Sequence, residues 1–172
     1  MSLSHANRGK ALEELIIILN QRYRAQGKAV IHKVPTAWLP IRGGTGKIIS
    51  AKVEEKSTVD FMGRYGAAPI AFDAKHAKDR RIRWDRVEPH QEKFLDDWTK
   101  DGDSIGFILV AYDMLQYFVV PWNVWKCGLI TWRQGGSASM QIASMAGTTM
   151  EVKRQDYLKV VDQIWLSEQK AV

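Results

Sequence analysis

The sequence predicts a three-layer α/β domain, helix then sheet then helix, and three observations carry that expectation. An apolar stripe at helical spacing lies near the start, short runs rich in β-branched and aromatic residues fill the middle, and a second helical stripe closes the chain. Lys10 to Gln26 places Leu12, Leu15, Ile16, Leu19 and Tyr23 on one helix face, with Asn7 as its expected cap and Gly27 as its stop. Ala29 to Val34 reads as a strand that Pro35 ends. Trp38 to Ser50 contains Pro40, Gly43, Gly44 and Gly46, which leaves two readings open, a loop or a protruding ribbon with Arg42, Lys47 and Lys52 available to phosphates.

Ser57 to Phe61 and Ile70 to Lys75 read as two strands of a hairpin, with Gly63 and Gly66 marking the turn. A basic segment with one aromatic follows, Lys78 to Arg86, and then a short helix over Pro89 to Lys100 with Phe94, Leu95 and Trp98 as its apolar residues. Ile105 to Tyr112 is a nearly continuous apolar run, as a central strand requires, and Leu115 to Val120 is its expected antiparallel partner. Pro121 to Trp125 starts a turn or short helix. Gly135 to Thr149, rich in Gly, Ser, Ala and Met, reads as a surface connection, and Val152 to Gln169 as a helix burying Tyr157, Val160, Val161, Ile164 and Trp165.

Composition narrows the function classes. A chain of 172 residues with 45% hydrophobic residues and seven tryptophans supports one packed domain spanning residues 1–172. Twenty-five Lys and Arg against nineteen Asp and Glu give a net charge of +6, which suits a polyanionic partner. One cysteine, Cys127, cannot build an intrachain disulfide or a thiolate zinc cluster, and a reducing compartment follows. No run reaches transmembrane length and residues 1–10 lack a signal-peptide pattern, so a cytoplasmic protein without membrane contact is expected.

The chemistry concentrates at Asp60 and at Asp73-Ala74-Lys75. Alternate strand residues share a face, so Asp73 and Lys75 point the same way, about 6.6 Å apart along the strand. Hairpin pairing can bring Asp60 beside them. Two carboxylates with an ammonium form a hard-oxygen site for Mg²⁺ or Mn²⁺, the minimum for metal-assisted phosphodiester hydrolysis. Taken alone, an acid-x-lysine triplet at a strand end is common and usually solvated; the surrounding landmarks decide. The basic run from Lys78 to Arg86 is open between a solvated face and phosphate contact, as are Arg42 and Lys47, while Trp84 is expected to pack rather than stack on a base.

Other motifs fail. Gly43-Gly44-Thr45-Gly46-Lys47 resembles part of a phosphate-binding loop, but Ile41 stands where its first Gly belongs and Ile48 where Ser or Thr should meet Mg²⁺, so no nucleotide cofactor is expected. His32, His76 and His90 lack zinc-ligand spacing, and Ser137 lacks a nucleophile-elbow pattern.

The landmarks also occur in a recognisable order. Asn7-Arg8-Gly9 with Leu12-Glu13, Val30-Ile31-His32-Lys33 with Pro35-Thr36, Ser57-Thr58-Val59-Asp60, Phe72-Asp73-Ala74-Lys75 and His90-Gln91 together resemble the RecU family of Holliday-junction resolvases, within the PD-(D/E)xK nuclease superfamily. That resemblance implies a restriction-endonuclease-like fold, with a central mixed sheet flanked by helices. It implies that Asp60, Asp73 and the carbonyl of Ala74 bind a metal, that Lys75 positions or activates the attacking water, and that Glu13 approaches the metal from the first helix. Arg8, Thr58 and Gln91 become supporting residues near the scissile phosphate or DNA backbone, joined in DNA binding by Arg42, Lys47, Lys78, Arg80, Arg81 and Arg83. Residues 37–56 correspond to the family's stalk, shorter here than in other members. The activity implied is Mg²⁺- or Mn²⁺-dependent cleavage of four-way DNA junctions by a homodimer. The alternatives are a less selective endonuclease of the same superfamily and a non-catalytic DNA-binding module.

Overall fold

The computed structural model describes residues 5–77, 81–141, 150–152 and 156–166. Helix α1 (His5–Ala25) leads into strand β1 (Ala29–Lys33), a two-stranded ribbon of β2 (Ala37–Arg42) and β3 (Ile48–Glu55), and the hairpin of β4 (Phe61–Tyr65) and β5 (Ala68–Ala77). Strand β6 (Arg81–Arg83), a 3-10 turn (Trp84–Arg86) and helix α2 (Pro89–Trp98) carry the chain across to β7 (Ile105–Tyr112). Then come β8 (Gln116–Pro121), helix α3 (Trp122–Arg133), β9 (Ser139–Gln141), β10 (Met150–Glu151) and helix α4 (Tyr157–Val161), which runs into a π turn (Asp162–Leu166).

Six strands form the central sheet in the order β1-β4-β5-β7-β8-β10. Only β5 and β7 run parallel, so the sheet is mixed, as expected. One face buries Leu12, Ile16 and Leu19 of α1 and Tyr157, Leu158 and Val161 of α4 against Ile70, Phe72, Phe107 and Leu109. Stacked rings tie three strands together here, with Phe61 and Phe72 centred 5.1 Å apart and Phe72 and Phe107 4.6 Å apart. The opposite face packs Ala71, Ile108, Val110 and Val120 against Leu95 of α2 and Trp125 and Leu129 of α3. Trp84 joins this second core and meets Trp125 edge-on, at 5.3 Å and 88°, so it packs as expected. The outlier among the tryptophans is Trp38, 58% exposed on the ribbon.

Several boundaries differ from the sequence expectation. Helix α1 already includes His5, which places Asn7 inside it rather than at its cap. Ser57 to Asp60 is not strand; pairing begins at Phe61, and the turn is made by Gly66 and Ala67. Gly63 lies within β4, where a Cβ would stand 2.0 Å from the Val30 carbonyl oxygen, so glycine is required for close approach of β1 rather than for turning. Leu115 is 82% exposed in a loop whose Asp113 and Met114 adopt positive φ, which moves the start of β8 to Gln116. Helix α3 runs a full 12 residues. Part of the expected surface connection is strand β9, paired with β6; residues 142–149 lie outside the described residues. The closing helix starts at Tyr157, because Val152 still extends β10 by donating to the Tyr117 carbonyl at 2.7 Å.

Candidate active site

Strand β4 starts at Phe61, one position short of Asp73 along β5. Phe61 pairs with Phe72, so the next position along β5, Asp73, has no strand partner on that side. Asp60 fills the gap: its Oδ2 accepts the Ala74 backbone N–H at 2.9 Å, replacing the missing ladder bond. N–H and C=O of one strand residue point to the same side, so the Ala74 carbonyl faces the same opening. The carboxylates of Asp60 and Asp73 meet there.

Asp73 is fully buried, and Lys75, 13% exposed, makes an ion pair with its Oδ2. Both side chains leave β5 on the α2 face of the sheet. Gln91, in the first turn of α2, closes the group. Its Nε2 donates to Asp73 Oδ1 at 2.8 Å, while its Oε1 accepts from Lys75 Nζ at 3.3 Å and from the Glu88 N–H at 3.0 Å. Only one amide orientation suits a carboxylate on one side and two donors on the other. Burial, then the charge and hydrogen bond of Asp73, push the Asp60 carboxyl up from 3.8 to about 7, against the lowering effect of the Ala74 N–H and Lys75. Two acids that share a proton in this way are short of positive charge.

Two carboxylates that meet beside the Ala74 backbone, with one lysine to balance two negative charges, suit a hard divalent cation. Among the described residues no group of three or more His, Cys, Asp or Glu side chains gathers as a metal cage, so His32, His76 and His90 form no such group. Glu13 lies on α1, across the sheet from Asp73 and Lys75, and is held by Lys33 Nζ at 2.5 Å. Lys33 pairs with Phe61, so Glu13 stands beside the Asp60 end of β4 without completing a three-acid cluster.

The remaining sequence candidates separate. Gln91, expected near the scissile phosphate or the DNA backbone, is 7% exposed and grips the acid–lysine pair. Thr58 is half-buried in the bend between the ribbon and Asp60. Arg42 turns back onto the Gly46 carbonyl at 2.9 Å, leaving Lys47 and Lys52 exposed on the ribbon. The glycine-lysine segment is the ribbon's own tip, with Gly46 at φ +77°, and opens no helix. Arg81 is exposed beside the Ser139 hydroxyl at 3.0 Å, whereas Arg83 is occupied by both oxygens of Asp85. The Arg8 side chain, Lys78 and Arg80 lie outside the described residues. Sequence reasoning missed Lys56 and Glu88, an ion pair at 2.5 Å that ties the ribbon's base to the start of α2. Its signal was present: Glu88-Pro89 with Gln91 three residues beyond the cap is a capping-box pattern.

The family model for recombination protein U, RecU, matches residues 7–163. A Holliday junction resolvase RecU of Lactobacillus delbrueckii subsp. bulgaricus is 30% identical, over 94% of this chain and 82% of that protein. A protein of the same name from Streptococcus pneumoniae is 32% identical over 66% of each chain. Among solved structures, Hjc of Archaeoglobus fulgidus, a Holliday junction resolvase, aligns with a TM-score of 0.45 and 10% identity, covering 67% of this chain and 78% of that one.

Proposed function

The chain belongs to the RecU family, and we propose from that footing that it is a divalent-metal-dependent endonuclease that cuts four-way DNA junctions as a homodimer. The observation that carries the chemistry is the meeting of Asp60, Asp73 and Lys75 where β5 runs on beyond β4, with Gln91 fixing both Asp73 and Lys75. Asp60, Asp73 and the Ala74 carbonyl would hold Mg²⁺ or Mn²⁺, which when bound neutralises phosphate charge and acidifies water. Everything else is supplied by the chain. Burial of Asp73 in the sheet fixes one acid, and the Asp60–Ala74 bond fixes the other, so the donors are oriented before substrate arrives. Lys75 keeps its ammonium at the mouth of this group, where it stabilises the charge that builds on the phosphate oxygens during in-line attack. Gln91 holds that ammonium by one bond and Asp73 by another, which keeps the lysine from collapsing wholly onto the acid.

The ribbon supports junction selectivity. It pairs over Ala37 to Glu55, carries exposed Lys47 and Lys52, and presents Trp38, Ile48 and Ile49 at 58%, 60% and 69% exposure. An element of that shape enters the open centre of a four-way junction and has no comparable site on a continuous duplex. Two symmetric cuts need two sites, hence the homodimer. Cleavage of a labelled four-way junction and of linear duplex, each with and without Mg²⁺, tests the proposal. Metal-dependent cutting of the junction in preference to the duplex is expected; equal cutting of both favours a less selective nuclease, and no cutting of either sinks the catalytic reading.

A further inference from the structure

The ribbon and the acid–lysine pair are held by the same helical turn. Both roots of the ribbon close on Asp60: on the ascending side the Val34 N–H donates to the Asp60 carbonyl at 2.8 Å, and on the descending side β3 ends five residues before it. Within that short descent Lys56 Nζ pairs with Glu88 at 2.5 Å, and His90 Nε2 lies 3.1 Å from the Ser57 carbonyl. A carbonyl only accepts, so the His90 Nε2 carries the proton in this bond. Val59, next to Asp60, is fully buried and anchors the segment. Glu88 is the cap of α2 and His90 immediately precedes Gln91, whose side chain grips Asp73 and Lys75.

From this juxtaposition we propose that the first turn of α2 couples seating of the ribbon on DNA to alignment of the cleaving group, with Lys56 and His90 as positioning residues that set structure selectivity at the cleavage step. The inference rests on the junction-cutting reading above. A turn with a capping box and Pro89 at its first positions is preorganised, and Leu95, fully buried, fixes the same helix one turn further on. Such a turn moves as a unit, so a displacement of the ribbon root reaches Gln91 instead of dissipating in a loop. The Lys56 and Glu88 side chains are 66% and 50% exposed, and a pair so exposed adds little to folding stability. Its loss therefore leaves the protein folded and changes where the ribbon root sits.

The test compares wild type with Lys56→Met and His90→Ala, and with the conservative Lys56→Arg and His90→Gln, in single-turnover cleavage of a four-way junction and of linear duplex at saturating enzyme and Mg²⁺. Junction affinity is measured in parallel across salt concentrations. Lys56→Met and His90→Ala are expected to keep junction affinity and to cut the junction more slowly by roughly fivefold or more, the lower end of ordinary site-to-site coupling. Their slow duplex cleavage stays unchanged, so the junction-to-duplex rate ratio falls, and the conservative variants retain most of it. An unchanged ratio overturns the proposal, as does a loss shared equally by the conservative variants. A loss of affinity with a salt slope lower by about 0.9 makes Lys56 a phosphate contact instead and also overturns it. A wild-type enzyme without junction preference fails at a different point: it removes the functional reading, and the coupling with it.

Discussion

Asp60→Asn should make the metal-free protein more stable at neutral and alkaline pH while ending its activity. Burial, with the charge and hydrogen bond of Asp73, raises the Asp60 carboxyl from 3.8 to about 7 in the fold. Between those values the folded state binds more protons than the unfolded one, so stability falls as pH rises. At about 1.36 kcal/mol per pH unit, ionising Asp60 costs on the order of a few kcal/mol once the pH passes 7. Asparagine escapes the cost and keeps the geometry: its Oδ1 accepts the Ala74 N–H in place of Asp60 Oδ2, and its Nδ2 can donate to Asp73. The gain should be absent near pH 4, grow through pH 7 and then level off. Its plateau corresponds to a rise in Tm of several degrees, at about 2–4 °C per kcal/mol for a domain of this size. Thermal melts of both proteins in chelator, from pH 4 to pH 9, measure it. Added Mg²⁺ should then raise the wild-type Tm and leave that of the variant unmoved. Equal melting temperatures at pH 8, or a gap that does not vary with pH, would refute the claim that Asp60 and Asp73 compete for charge in a buried site.

Lys75→Ala should lower the single-turnover cleavage rate far more than junction affinity, because one ammonium among many cations adds little to binding; an equal effect on both would make it a phosphate contact. Gly63→Ala drives a Cβ into the Val30 carbonyl oxygen and the Ile31 backbone, so a loss of about 3 kcal/mol or more is expected in denaturant unfolding. A loss near zero would mean that β1 is not seated on β4 as described. Arg81→Ala should reduce the log–log salt slope of DNA binding by about 0.9, whereas Arg83→Ala should change it less, since Asp85 already engages that guanidinium; a reversed order would mean that Asp85 does not withhold Arg83 from the nucleic acid.

Periodicity made the local elements legible, and non-local pairing hid the rest. Ile105 to Tyr112 reads as a buried strand because its apolar run leaves no other choice, and β7 spans those residues. Gly63 misled because a glycine between two strands signals a turn, whereas its actual requirement is set by β1, about thirty residues earlier in the chain. Strand β9 was unreadable for the same reason: Ser139 to Gln141 has little strand character of its own and pairs because β6 lies beside it. In the candidate site, Asp73 and Lys75 follow from strand alternation, and Asp60 from the hairpin. The burial of Gln91 against both of them depends on where α2 crosses the sheet, which no spacing in the sequence encodes. Glu13 likewise takes its place from a non-local contact, held by Lys33 of β1 beside the Asp60 end of β4.

The central claim is that Asp60, Asp73 and Lys75 cut a four-way junction with a divalent metal. Strand-by-strand mapping of the cuts made in a four-way junction by wild type and by Asp73→Asn, across a Mg²⁺ titration, tests it most directly. Wild type should produce Mg²⁺-dependent nicks at symmetric positions on two opposing strands, and Asp73→Asn should bind the junction within severalfold of wild-type affinity and leave it intact at every metal concentration. Substantial cutting by Asp73→Asn at saturating Mg²⁺, or metal-independent cutting by wild type, would contradict the account.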